Sequence, residues 1–190
     1  MKLERAATEV AVFGGSFDPP HVAHVLGVVY VLATCGVDEV LVVPCLRHPF
    51  AKELAPFARR FAMCELAMGW LPRTRISRVE EHLGGESHTL RTIERLRAQS
   101  PGTSFRLIVG ADVLLDASRW KEFDRLRELA PLIVLGRAGV TADQAPPPIL
   151  PDISSSAIRT AVRAGRRSSV QGLVPREVLD YIEQHGLYGG

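Results

Sequence analysis

Four short runs rich in Val, Ile and Leu, at residues 10–13, 40–43, 105–109 and 132–135, constrain this chain most. Each is nearly continuous rather than alternating in polarity, the pattern of a strand buried on both faces, and residues 75–79 make a weaker fifth. Between the runs lie longer segments with helical spacing of apolar residues, at 22–35, 57–69, 89–98 and 119–129. Strands alternating with helices predict a doubly wound α/β fold built on a parallel sheet. A proline run at 146–148 ends the sheet region. Two further helices are predicted at 155–164 and 176–185, the second opened by Pro175 and closed by Gly186. With 190 residues, 46% of them hydrophobic, the chain suits one domain over 1–190, in which 153–190 form a C-terminal helical subregion.

The charge balance narrows the partners. Lys and Arg number 23 against 21 Asp and Glu, a net charge of +2 with both signs interspersed, so the basic footprint of a nucleic-acid binder is absent. A local phosphate pocket stays open. Cys35, Cys45 and Cys64 lie in apolar contexts and show no metal-ligand or paired spacing, which predicts buried free thiols in a reducing compartment. The first ten residues carry charges but no apolar core of a secretory signal, and the uncharged run 25–37 is too short to span a bilayer. A soluble cytoplasmic protein without a membrane partner is expected. The apolar C-terminal helix offers a surface for a homo-oligomer, with the oligomeric state left open.

In open parallel sheets ligands sit beyond the carboxyl ends of the strands, where strand order reverses. The segment after the first strand reads GGSFDPPHVAH, residues 14–24. Its glycines let backbone approach a ligand, and a helix starting near His21 turns free N–H groups toward the loop, a natural seat for phosphate. His21 and His24, three apart on the first turn, project to one side as donors. The loop lacks the Gly-Lys-Ser/Thr of a P-loop and the spaced glycines of a dinucleotide fingerprint. A second cluster, ISSSAIR at 153–159, opens a later helix with three hydroxyls and Arg159 one turn on, a helix cap that also suits an anion. A third, GADVLLDASRW at 110–120, sets Asp112 just past a strand end and Trp120 downstream, where burial in the core is the ordinary alternative.

GGSFDPPHVAH resembles the HxGH signature of the nucleotidyltransferase superfamily, with Ala23 where Gly is usual, and ISSSAIR resembles its second signature, with Ser156 in the Thr place. Together with GAD, Trp120 and the ending VPREVLDYIEQHGLY, these motifs look like those of the bacterial nicotinate-nucleotide adenylyltransferases over most of the chain. The resemblance implies a Rossmann-like nucleotidyltransferase fold and transfer of the adenylyl group from ATP to nicotinate mononucleotide, in NAD biosynthesis. It implies His21, His24 and Arg159 as catalytic residues. It implies an ATP site of Gly14, Gly15, Ser16, Phe17, His24, Gly110, Asp112, Ile153, Ser154, Ser155, Ser156 and Arg159. Ser16, Lys52, Thr89, Asp112, Trp120 and Arg137 would meet the mononucleotide, with Trp120 on the pyridine ring. His88 replaces the tyrosine usual before that threonine. Arg47 or His48 can take the part of Lys52, and nicotinate against nicotinamide preference is left open. No protein metal site is expected, only Mg2+ bound through the ATP phosphates. The nearest alternatives are another small adenylyltransferase or cytidylyltransferase, such as the pantetheine-phosphate enzyme, and a non-catalytic nucleotide-binding module.

Overall fold

Along the first strand Val10 and Val12 face one way and Ala11 and Phe13 the other, and both sides find apolar partners, as a strand inside a two-sided sheet requires. The structure, a computed structural model, describes residues 7–48, 53–115, 120, 122–136, 138 and 146–189. Five strands, β1 (Glu9–Gly15), β2 (Glu39–Pro44), β3 (Thr74–Ile76), β4 (Ser104–Gly110) and β5 (Leu132–Leu135), form one all-parallel sheet in the order β3-β2-β1-β4-β5. The chain walks outward from β1 to β3, then returns to the far side of β1 for β4 and β5. The order therefore reverses between β1 and β4, and the carboxyl ends of these two strands flank the crevice where ligands enter such sheets.

One face is covered by α1 (Val22–Thr34), α2 (Phe57–Met68), α7 (Ser155–Arg163) and α8 (Arg176–Gln184), whose Val28, Val31, Met63, Met68, Ile158 and Ile182 join Ala11, Val42 and Ile108 in one core. The 153–190 segment thus packs into the same core as β1. The other face is covered by α3 (Val79–Leu83), α4 (Thr89–Gln99) and α6 (Phe123–Leu129), with Ile93, Leu96 and Leu126 against Val12, Leu41 and Leu107. Each such fully buried aliphatic side chain contributes about 1.5–3 kcal/mol of hydrophobic stabilisation. The short α5 (Asp112–Leu115) follows β4.

Two expected elements change. The strand predicted at 75–79 is Thr74–Ile76, an edge strand paired with β2 alone, and Val79 begins α3 instead. The helix predicted from 119 begins at Phe123, because its N-cap Glu122 takes a left-handed φ of 51° that breaks the helical run; Arg119 lies outside the described residues. None of the helices among the described residues is long and apolar enough to cross a membrane.

Candidate active site

β1 ends in two glycines with different tasks. A side chain added at Gly14 would meet no protein atom, and Gly14 lines a cavity, so its bare backbone keeps that space open. A Cβ at Gly15 would come within 3.0 Å of the Phe17 ring, so the second glycine also makes room for protein. Phe17, at a left-handed φ of 47°, turns the chain inward and buries its ring among Gly15, Phe13 and His24. Its side chain serves the core.

His21 is the N-cap of α1, with extended backbone, and His24 is the third residue of the helix. The Nδ1 atom of His24 accepts the His21 N–H at 3.1 Å, satisfying one of the orphan donors of a helix start. A backbone N–H can only donate, so Nδ1 carries no proton and the neutral ring holds its proton on Nε2, as a donor. The two imidazoles stack with centroids 3.7 Å apart, and Phe17 closes on His24 edge-on at 4.9 Å. Ala23 is buried in the core between them in sequence, so the methyl that replaces the usual glycine hydrogen is accommodated.

Helix α7 is docked on this turn. Ser154 caps it by accepting the Ala157 N–H at 3.2 Å. Ser155 Oγ donates to the carbonyl of Pro19 at 2.9 Å, and Arg159 Nη1 donates to the carbonyl of Asp18 at 2.7 Å. Arg159 Nη2 also donates to Ser156 Oγ at 3.3 Å, and its Nη1 lies 3.7 Å from the Asp18 carboxylate. Two motifs more than a hundred residues apart thereby share one surface, with the α7 N-terminus beside the histidine turn. Ile153 is buried in the core, so it supports that surface with backbone only.

On the other side of the β1 end lies a cavity of about 330 Å³, lined by Gly14, Gly15, Ser16, Cys45, His48, Glu80, Ser87, His88, Thr89 and Trp120 with apolar side chains of the sheet. Thr89 is the first residue of α4, whose N-terminus opens onto the cavity wall. His88 is the N-cap, 3.5 Å from Glu86. Ser87 Oγ accepts the N–H groups of Leu46 and Arg47, closing the loop after β2 over the cavity. The buried Glu80 carboxylate accepts the Thr92 hydroxyl. Burial pushes the Cys45 thiol above its ordinary value, more than the nearby Arg60 guanidinium lowers it, so this side chain stays a neutral thiol. Cys35, Cys45 and Cys64 are free thiols, but only Cys64 is buried.

Sequence reasoning missed Arg60. Its side chain is fully buried in α2 and donates to four carbonyls: Ala55 at 2.8 Å, Ser16 at 2.9 Å, Cys45 at 2.8 Å and Leu46 at 3.2 Å. It ties the loops after β1 and β2 to each other. The signal was present, since Arg60 occupies the helical stripe shared with Met63, Cys64 and Ala67. Of the other expected residues, Gly110 and Asp112 are close neighbours, since a Cβ added at Gly110 would lie 2.3 Å from Asp112 Oδ1. Lys52 and Arg137 lie outside the described residues. Among the described residues no group of three or more His, Cys, Asp or Glu is placed to hold a metal ion.

Residues 12–161 match the cytidylyltransferase-like family. A probable nicotinate-nucleotide adenylyltransferase of Anaeromyxobacter dehalogenans (strain 2CP-C) is 47% identical over 189 residues, covering 96% of this chain and 97% of its relative. One of the same name from Thermus thermophilus is 39% identical, covering 94% and 98%. The fold is similar to that of Plasmodium falciparum nicotinic acid mononucleotide adenylyltransferase complexed with NaAD, with a TM-score of 0.81 at 20% identity over 95% of this chain and 97% of the other.

Proposed function

The chain belongs to the nicotinate-nucleotide adenylyltransferases of the cytidylyltransferase-like family, nucleotidyltransferases of NAD biosynthesis, and on that premise we propose that His21, His24 and Arg159 carry its transfer of an adenylyl group from ATP to nicotinate mononucleotide. The products are deamido-NAD and pyrophosphate. The observation that supports this most is the docking of α7 on the histidine turn, which sets imidazole, guanidinium and helix N-terminal donors on one surface at the switch point of the sheet.

The cavity beside that surface suits the mononucleotide. Its volume is at the small end of ligand sites and its walls mix apolar side chains with a few polar ones, with Trp120 to stack on a pyridine ring and the positive end of α4 at Thr89 to meet a carboxylate. Ser16 and the bare Gly14 backbone lie at the seam between the two parts. Lys52 and Arg137 are assigned to the mononucleotide phosphate on family resemblance alone.

The attacking phosphate needs no general base, because a phosphomonoester's second pKa is about 6 and it is already mostly dianionic at neutral pH. The chain's task is to align it with the α-phosphorus and to stabilise charge on the α-phosphoryl and departing pyrophosphate. His24 supplies its Nε2–H, and Arg159 supplies a fixed cation. Nucleotidyltransferases of this kind use a divalent cation; as Mg2+ on the triphosphate it supplies charge neutralisation and requires no protein cage. A cytoplasmic setting belongs to the same reading, since ATP and pyridine nucleotides are the substrates.

The test is pyrophosphate release with ATP and each of nicotinate mononucleotide, nicotinamide mononucleotide and phosphopantetheine. Release is expected to be fastest with nicotinate mononucleotide. Turnover with phosphopantetheine alone, or ATP binding without turnover, would overturn the assignment.

A further inference from the structure

After α8 the chain turns back toward the GGSFDPPHVAH loop. Gly186, at a left-handed φ of 58°, reverses the chain after α8 while Leu187 N–H bonds to the Ile182 carbonyl at 2.9 Å. Tyr188 follows in a left-handed conformation of its own, φ 64°, which a tyrosine holds only where its surroundings impose it. Its ring packs on the core and its hydroxyl donates at 2.7 Å to Oδ1 of Asp18, within the GGSFDPPHVAH loop and 170 residues away.

Asp18 is almost wholly buried, so its carboxylate needs hydrogen-bond donors from the protein. Oδ1 has the Tyr188 hydroxyl and, at 3.3 Å, the Ala55 N–H, while Oδ2 faces Arg159 at 3.7 Å, beyond direct hydrogen-bond contact. The short bond therefore comes from the tyrosine, and the guanidinium keeps its remaining N–H groups for something else. Without that hydroxyl the buried carboxylate would be short of a donor, and the cation it already faces is the group to supply one.

We infer that Tyr188 is a positioning residue for the transfer: by satisfying Asp18 it keeps Arg159 from collapsing onto that carboxylate and leaves the guanidinium turned toward the ATP phosphates. This rests on the function proposed above. Burial, then the bond to Asp18, push the phenol well above its ordinary range, so it remains a donor at any pH at which the enzyme works.

The decisive variant is Tyr188→Phe, which keeps the ring and removes only the hydroxyl. It is expected to lower kcat/KM for ATP about tenfold, within the range for a lost hydrogen bond to a charged group, and to leave the KM for nicotinate mononucleotide within about twofold, since no mononucleotide contact changes. In an Asp18→Asn background the same substitution should cost less than about twofold, because a neutral amide has no charge with which to capture Arg159. Tyr181→Phe, which removes the hydroxyl that Arg59 bonds at 3.1 Å in α8, is the control and should change neither constant. An unchanged kcat/KM for ATP in Tyr188→Phe, or an equal loss with and without Asp18→Asn, would overturn the inference. Should Tyr188→Phe fold poorly, the affinity of a non-hydrolysable ATP analogue for Asp18→Asn and for the double variant, by calorimetry, decides in the same way. If the unaltered protein releases no pyrophosphate, the functional reading fails by itself, and the calorimetric comparison still tests the role of Tyr188.

Discussion

His24 accepts the backbone N–H of His21 through Nδ1 at 3.1 Å while the two rings stack at 3.7 Å, so one imidazole caps α1 and holds its own proton on Nε2. On the proposed function, replacing His24 by Ala removes a donor to the transferring phosphoryl group. The expected loss in kcat is about two orders of magnitude, the scale for removing one transition-state donor. The lost cap costs about 1 kcal/mol of stability, too little to unfold the chain. Steady-state kinetics beside a circular dichroism spectrum checks this, and near-normal turnover in a folded His24→Ala protein would remove His24 from the catalytic set.

The two glycines of the loop should respond differently to the same methyl group. Gly14→Ala adds a side chain that meets no protein atom but enters the cavity, so the melting temperature should hold while the KM for mononucleotide rises severalfold. Gly15→Ala places its methyl 3.0 Å from the Phe17 ring, so a loss of about 1–3 kcal/mol is expected as the ring shifts. Thermal melts and mononucleotide titrations on both variants separate clearance for ligand from clearance for protein.

Much of this organisation was written in short-range pattern. The sheet was legible because its central strands are buried on both faces and so must be continuously apolar, and residues 132–135 coincide with β5 end to end. The edge strand β3, with one neighbour and three residues, has no such requirement, and the short helices α3 and α5 are too brief to show a period. The motif residues His21, His24 and Arg159 could be named from the chain, but not the contacts that join them. Asp18 meets Arg159 and Tyr188 across 141 and 170 residues, and no local spacing encodes that. Arg60 is the intermediate case, a charge on an apolar helical stripe that pattern could have flagged but whose four carbonyl partners only the fold reveals.

Arg60→Met therefore tests whether the strand-end loops need their clamp. The thioether fills the space but donates nothing, leaving carbonyls of Ser16, Cys45, Leu46 and Ala55 without that partner. Orphaned buried groups cost about 1–3 kcal/mol each before relaxation. A total loss on the order of 3 kcal/mol, or a melting shift of roughly 10 °C for a chain of this size, is expected. Arg60→Lys keeps the charge but offers one compact ammonium in place of a planar fork, so it should fall between the two. A melting temperature within about 2 °C of the unaltered protein for Arg60→Met, on a scale of roughly 2–4 °C per kcal/mol, would show that the clamp carries no stability.

The Tyr188 phenol gives a stability signature at alkaline pH whose sign follows from linkage. Burial and the Asp18 carboxylate raise it above its ordinary value of 10.0, while Arg159 and Arg60 nearby offset part of that rise. The folded protein thus keeps a proton that the unfolded chain releases, and stability is fully present below about pH 10 and falls as pH rises past it. The buried Cys64 thiol, raised well above its ordinary 9.0 by burial, acts in the same direction from about one unit lower. Thermal melts at intervals from pH 8 to pH 11 should show a decline beginning near pH 9 and steepening above about pH 10. Tyr188→Phe should retain the first part and lose the second, whereas Cys64→Ala should weaken the first part alone, since burial raises the Cys45 thiol too. A Tyr188→Phe protein whose melting temperature falls above pH 10 as steeply as that of the unaltered chain would show that the phenol ionises no less readily in the fold than outside it.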